Sequence, residues 1–503
     1  MDIHTLIEQL LYYSTKKLSL DEFDVIYVRN NIYKILNIEC PKEVTFDKSQ
    51  IDELIVPDMF VDGIRQYIEE NHLYEEQDIE SVVTSIMGIV SPLPSQVRDR
   101  FYYLKEHESP KAATEYLYNL SVANYYVQKT KVDKNILWNS KDNLEISINL
   151  SKPEKNNKDI KALVGKQDVS YPKCVLCLEN LGFPGRGKFV PRQVIRVIPM
   201  KLNNEDWFLQ FSPYGYYNRH CILVKTKHEP MVINENNLRA LFAFVDEYPH
   251  YFIGSNSDRP IVGGSILNHE HFQGGHHVMP MMKRKVIKEY VDEDFPTIRI
   301  GKLDWYNSTL CLMSNDKEAM IQYALKILNS WRNYSDEEVD ILAYTNGESH
   351  NAITPTLVKK GNVYYLYIIL RNNRCNEQYP DGIFHAHKEY HHIKKEGIGL
   401  IEAMGQFILP ARLVRQLKIV EEVVKNNTED NIYLNLYPDM KDFVPMINKL
   451  KNNHTDDIHK DVINEVDEIC KGILENTAVF KNDEIGQLHF DKYLNSINTF
   501  EKK

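Results

Sequence analysis

Gly263-Gly-Ser-Ile-Leu-Asn-His269-Glu-His271-Phe-Gln273-Gly-Gly275 is the stretch on which the reading of this 503-residue chain turns. His269, His271 and Gln273 alternate. On a β-strand a period of two puts all three side chains on one face. A neutral imidazole between polar neighbours is a competent nucleophile towards phosphorus at neutral pH. Glycines at both ends let backbone N–H groups approach phosphate oxygens without Cβ obstruction. The bland alternative is a buried histidine pair satisfied by hydrogen bonds. Two histidines, a glutamine and four glycines within thirteen residues argue against it.

Around this stretch lie short β-rich runs separated by turn residues: VIRVIPM (194–200), WFLQFSPY (207–214) and HCILVKTK (220–227). NENNLRALFAFVDEYPHYF (234–252) reads as a helix. A second β-rich section follows at VDILAYTNG (339–347), VYYLYIILRNN (363–373) and IFHAHKEYHH (383–392). Both sections end in H-x-H on an expected strand, which suggests a diverged internal duplication. Twelve of the eighteen histidines lie between 220 and 392, a clustering that points to a site.

Residues 1 to about 150 read as helical, with Ser19-Leu-Asp-Glu22 as a capping box and Phe23, Ile26, Tyr27 and Tyr33 at helical spacing behind it. SPKAATEYLYNLSVANYYVQKT (109–130) has the same character. The polar run 151–173 reads as a linker, and the chain from about 415 onwards as helical again. The domains expected are a helical region at 1–160, a unit carrying the nucleophile at 161–300, a second unit at 301–415, and a helical region at 416–503.

Hydrophobic residues make up 43% and charged residues 26%, the mix of a globular protein. No run approaches the ~20 apolar residues of a membrane span. The N-terminus lacks the basic region of a signal peptide, so no membrane partner and a cytoplasmic location are expected. A net charge of −11 disfavours nucleic acid as a partner. Cys40, Cys221, Cys311, Cys375 and Cys470 read as core thiols. Cys174 and Cys177 instead form a C-x-x-C pair with the spacing of half a tetrahedral zinc site. A buried pair without metal, or a redox pair, stays open on spacing alone.

His269-Glu-His271-Phe-Gln273 resembles the motif of the histidine-triad superfamily. The glutamine in the third polar position is similar to that of the galactose-1-phosphate uridylyltransferases. SPYGYYNRHCI (212–222), HNAITP (350–355) and HHIKKEGIGLIEAMG (391–405) resemble the second sequence type of that family, common in Gram-positive bacteria. The likeness covers about 170 to 415, with departures at Arg219, Glu270 and Gly397.

The resemblance implies an α+β fold of two tandem histidine-triad-like antiparallel-sheet units with helical N- and C-terminal regions. It also implies a ping-pong exchange of UMP between UDP-glucose and galactose-1-phosphate in galactose metabolism, and often a homodimer. His271 would be the nucleophile. Gln273 would donate to a phosphoryl oxygen without shuttling a proton, which disfavours hydrolysis. Asn256, Gly264 and Ser265 would hold the nucleotide, and Lys394, Lys395 and Glu402 the hexose phosphate. Arg186 and Lys188, in FPGRGKF, are either anion contacts or part of a surface turn.

The family's metal site would be completed by His228 and His269, holding structural Zn²⁺ or Fe²⁺. A second metal would use His350, His385 and His387, with Glu289 as a poorly spaced acid. These histidines are otherwise sugar-phosphate contacts or packing groups. The rival functions are another histidine-triad phosphorylase or hydrolase, which would release nucleotide to water, and a zinc-stabilised binding module, which would form no covalent intermediate.

Overall fold

The computed structural model describes residues 2–150, 171–185 and 190–502. Arg186, Lys188 and the expected linker up to 170 lie outside the described residues. The chain divides into two compact units: Met1–Lys134 with Gln167–His228, and Asn135–Lys166 with Glu229–Lys503.

The first unit begins with helices that bury one apolar stripe each, among them Ile3–Lys17, Asp58–Glu70, Ile79–Ile89, Pro94–His107 and Pro110–Ala123. Their starts follow the sequence. Asp2 accepts from Thr5 N–H at 3.2 Å, and Ser109 from Ala112 N–H at 3.0 Å ahead of Pro110. The capping box expected at Ser19 does not form. Ser19 has φ 56°, and Asp21 is the cap, accepting from Phe23 N–H at 2.8 Å. The helical reading holds as far as Val132; beyond it come two strands, Ile136–Asn139 and Glu145–Asn149.

Three antiparallel strands complete the unit: β1 (Ile198–Leu202), β2 (Glu205–Phe211) and β3 (Cys221–Lys225). β1 buries Ile198, Met200 and Leu202 and exposes Pro199 and Lys201, the alternation of a half-buried strand. Residues 194–197, expected in that strand, precede it. Asn203 and Asn204, with φ 47° and 64°, make the two-residue turn into β2. Arg196 is buried and donates to Pro92 O and Ile195 O at 2.6 and 2.8 Å, tying the helices to the approach to this sheet.

In the second unit an antiparallel sheet contains β4 (Phe252–Ser255), β5 (His271–Gly275), β6 (Val286–Val291), β7 (Arg299–Leu303), β8 (Thr309–Ser314), β9 (Asn351–Lys360), β10 (Val363–Asn372) and β11 (Phe500–Glu501). Their spatial order is β11-β6-β7-β8-β10-β9-β4-β5. β4 and β5 are thus joined to the long β9–β10 hairpin through β9.

Helix Glu235–Glu247 is capped by Asn234, which accepts from Asn237 N–H at 3.0 Å. Helix Lys317–Asn333 buries Trp331, whose indole N–H is 3.0 Å from both Ala352 O and Arg371 O. Glu145–Asn149 pairs in parallel with Gln406–Pro410 and antiparallel with Ile136–Asn139. Helices dominate after Arg412, as expected, before β11 returns to the sheet edge.

Two expectations change. The second H-x-H is not on a strand: β10 ends at Asn372, and His385 and His387 lie in irregular chain before a short turn of 3₁₀ helix. Cys221, Cys311 and Cys470 are buried, but Cys40 and Cys375 are exposed. No helix among the described residues is long and apolar enough to cross a membrane.

Candidate active site

His271 opens β5, while His269 lies in the bend just ahead of it, so the alternating face holds for His271 and Gln273 but not for His269. The reason lies in contacts distant in sequence. Glu270 N–H bonds to Glu229 O at 2.8 Å, and its carboxylate accepts from Asn237 at 3.3 Å. These contacts hold residue 270 out of the ladder.

The bend brings His269 O within 2.8 Å of His271 Nδ1. A carbonyl only accepts, so Nδ1 carries the proton and Nε2 keeps its lone pair. Among the described residues nothing hydrogen-bonds to Nε2. Burial pushes the His271 pKa down to about 4, opposed by that backbone bond, so the ring is neutral at pH 7. Gln273 is half-buried on the same face of β5 and pairs with Gly254 of β4.

Directly after β4 stands Asn256, 1% exposed. Its Oδ1 accepts from Leu400 N–H at 2.8 Å, and its Nδ2 has no partner among the described residues. The glycine loop packs against it. A Cβ at Gly263 would meet Ser257 O at 2.5 Å, and one at Gly264 would meet Asn256 Nδ2 at 2.7 Å. Ser265 is exposed.

Lys394 is fully buried. Its Nζ donates to Glu402 Oε1 and to Ile408 O, each at 3.0 Å, and Glu396 lies 3.5 Å away. Burial lowers its pKa, but the charges of Glu402 and Glu396 outweigh that and raise it, so the ammonium persists. Lys395 is exposed, so the two neighbouring lysines occupy different environments.

In the first unit, Cys174 and Cys177 are buried with their sulfurs 3.5 Å apart, and Cys177 Sγ lies 3.1 Å from His228 Nδ1. Asn180 Nδ2 donates to Cys174 O and Cys177 O at 2.9 and 2.8 Å, and Leu176 N–H points at Cys174 Sγ at 3.4 Å. Two thiolates of a tetrahedral zinc site stand ~3.7 Å apart for metal–sulfur bonds of ~2.3 Å. Two soft sulfurs and an imidazole at these separations fit such an ion. His269, fully buried, belongs to the second unit.

The other histidines are engaged separately. His350 Nδ1 faces Asn373 Oδ1 at 3.0 Å, and its Nε2 faces Thr345 Oγ1. His385 Nε2 accepts from Ile398 N–H at 3.2 Å. His387 Nε2 reaches Ile383 O at 2.9 Å, and its ring stacks on Tyr379 with centroids 4.1 Å apart. None of the three falls in a cluster of metal-capable ligand atoms among the described residues. Glu289 is paired with Arg299 and Lys502.

Sequence reasoning passed over two groups. Asp336, Glu338 and His489 form one, but Lys492 already supplies its cation, 3.1 Å from Asp336. Fully buried Arg371, at the end of β10, is the other. Its signal was a charge closing the apolar run YYLYIIL.

Residues 52–230 match the family model described as "Galactose-1-phosphate uridyl transferase, N-terminal domain", and residues 244–437 match its C-terminal counterpart. Relatives called galactose-1-phosphate uridylyltransferase are 40% identical in Fusobacterium nucleatum, over 99% of both chains. The Clostridium acetobutylicum relative is 40% identical over 97% of this chain and 99% of its own. The Bacillus subtilis relative is 38% identical over 99% and 98%. Yeast Ap4A phosphorylase Apa2 aligns with 65% of this chain and 89% of its own at 9% identity, with a TM-score of 0.32. The family models and the relatives' shared name make the chain a nucleotidyltransferase. Within that class, the chain belongs to the galactose-1-phosphate uridylyltransferase family.

Proposed function

We propose that the chain moves a uridylyl group from UDP-glucose to galactose-1-phosphate through His271. The observation that carries this reading is the ring's fixed tautomer: Nδ1–H is held by the His269 carbonyl, and Nε2 is unprotonated. Nε2 attacks the α-phosphorus, the bond to the bridging oxygen breaks, and glucose-1-phosphate leaves with the electron pair. The ring becomes cationic, and the Nδ1–H bond to His269 O strengthens. Gln273 donates to a non-bridging oxygen where charge develops. Galactose-1-phosphate then attacks the same phosphorus, releasing neutral His271 and UDP-galactose. Leaving group and acceptor are both ionised phosphates, so no proton has to be shuttled and an amide suffices at 273.

In this reading Asn256, Gly264 and Ser265 receive the nucleotide, and Lys394, Lys395 and Glu402 the hexose phosphate. Cys174, Cys177 and His228, with His269 as fourth ligand, would hold structural Zn²⁺ or Fe²⁺. Bound there, the ion would stabilise the fold and take no part in the transfer. Two copies would assemble as a cytoplasmic homodimer.

Incubation with UDP-glucose labelled at the α-phosphate tests the reading. The expected result is a uridylyl adduct on His271, stable in water and discharged by galactose-1-phosphate. Label released to water as fast as to sugar phosphate would overturn it in favour of a hydrolase.

A further inference from the structure

Three buried side chains grip one short backbone segment of the second unit. Arg371 Nη2 donates to Ile398 O at 2.7 Å. His385 Nε2 accepts from Ile398 N–H at 3.2 Å. Asn256 Oδ1 accepts from Leu400 N–H at 2.8 Å. Between the gripped residues, Gly399 leaves room for the carboxamide: a Cβ there would lie 2.9 Å from Asn256 Oδ1. The segment runs directly into Leu400–Ala403, which carries Glu402, the ion-pair partner of Lys394.

The grip is energetically expensive. Arg371 is 0% exposed, makes no hydrogen bond to a carboxylate, and leaves Nε and Nη1 without partners among the described residues. Thr354 lies on the same face, two residues along β9 from Ala352, the residue opposite Arg371, and its buried hydroxyl is also unpartnered among the described residues. Desolvating a guanidinium and leaving two donors unmet costs stability that an apolar residue would not cost. Such locally unfavourable choices are expected where function sets the residue rather than packing.

We infer that Arg371 is a positioning residue for hexose-phosphate recognition, holding residues 398–400 so that Glu402 and Lys394 meet the sugar phosphate in fixed register. The inference rests on the assignment of Lys394 and Glu402 to the hexose phosphate made above. Arg371 holds this segment at Ile398 O, whereas the nucleotide-side Asn256 holds it at Leu400 N–H. Loss of Arg371 leaves the Asn256 bond in place, so the hexose half of the substrate is expected to suffer first.

The test compares Arg371→Gln, Arg371→Lys and Glu402→Gln in the full-length protein. It measures KM for galactose-1-phosphate and, by calorimetry, Kd for UDP, which lacks the hexose. Losing a charge-assisted hydrogen bond at 371 should raise KM for galactose-1-phosphate roughly tenfold or more in Arg371→Gln. Kd for UDP should stay within about twofold, and Arg371→Lys should recover part of the loss. If the Gln variant does not fold, the Lys variant decides by the same split. Glu402→Gln should also raise KM for galactose-1-phosphate. If Glu402→Gln has no effect, the hexose assignment itself fails. If Glu402→Gln has the effect but the Arg371 variants leave KM unchanged, or weaken UDP and sugar phosphate equally, the positioning role of Arg371 is overturned.

Discussion

Gly264 is packed so closely against Asn256 that a methyl group at 264 would lie 2.7 Å from Asn256 Nδ2. The neighbour cannot swing away freely, because the other end of the same carboxamide accepts from Leu400 N–H at 2.8 Å. Gly264→Ala should therefore displace Asn256 rather than be absorbed. The expected outcome is a folded protein with UDP-glucose affinity weakened by about tenfold or more, the scale of one lost buried hydrogen bond. Calorimetric titration with UDP-glucose checks it, and unchanged affinity would remove Asn256 from the nucleotide site.

Replacing the nucleophile and its neighbour should have different consequences. His271→Ala should lower turnover by several orders of magnitude while UDP-glucose still binds, since only the covalent route is removed. Gln273→Ala should reduce turnover by about 10²–10³, the usual effect of removing one donor to a developing oxyanion. Gln273→His restores a group able to carry a proton, and the labelled uridylyl-enzyme should then lose its label to water faster than wild type. Rapid-quench measurement of both half-reactions separates these effects.

Removing metal should act through structure. Cys177 Sγ lies 3.5 Å from Cys174 Sγ and 3.1 Å from His228 Nδ1, so Cys177→Ser exchanges the one sulfur in contact with both. Metal content by plasma mass spectrometry should drop well below that of wild type, and thermal stability should fall with it, because structural zinc contributes directly to folding. Wild-type protein treated with a strong chelator should show the same fall, reversed by added Zn²⁺. Cys177→Ser protein with full metal content would exclude this ligand set.

The sequence carried the chemistry further than the geometry. The glycine-flanked His271 and Gln273 could be placed on one strand face because period-two alternation needs only local backbone. His269 escaped that reading because its place is set by Glu270, which bonds to Glu229 and Asn237 about thirty to forty residues away. For the same reason a second H-x-H looked like a strand in sequence. The strand pairing had already been taken by Val363–Asn372, leaving His385 to bond Ile398 N–H. Cys174 and Cys177 announced themselves by spacing, whereas Arg371 was hidden in an apolar run, its meaning fixed by a carbonyl 27 residues on.

Stability should fall on mild acidification through buried neutral histidines. Burial, reinforced by the Arg412 charge, lowers the His392 pKa to about 4; burial and Arg371 lower that of His385 to about 3. Unfolded histidine titrates near 6.5. Below that pH the unfolded chain takes up protons that the native chain refuses, so stability is complete above about 6.5 and is lost as pH falls towards 4. For His392 the loss between pH 7 and 5 should be on the order of 1–2 kcal/mol. His392→Leu, with its side chain still against Phe443, should show a flatter dependence of denaturant midpoint on pH across this range. An unchanged slope would mean that His392 takes up its proton in the native protein at the same pH as in the unfolded chain.

The charge of Arg219 is balanced within the first unit. Its guanidinium makes hydrogen bonds of 3.0 and 2.7 Å to the two carboxylate oxygens of Glu115 and stacks 3.9 Å over the Tyr118 ring. The pair is about a quarter exposed, so the bidentate geometry counts but solvent screens it. Arg219→Glu would set two carboxylates against each other and remove the cation from the ring. A loss of about 1–2 kcal/mol in denaturant unfolding is expected, with turnover at 25 °C unchanged. The reciprocal change Glu115→Arg in that background should recover most of the loss. If the double variant is no more stable than Arg219→Glu, the two positions are not coupled, and Arg219 is held by the ring alone.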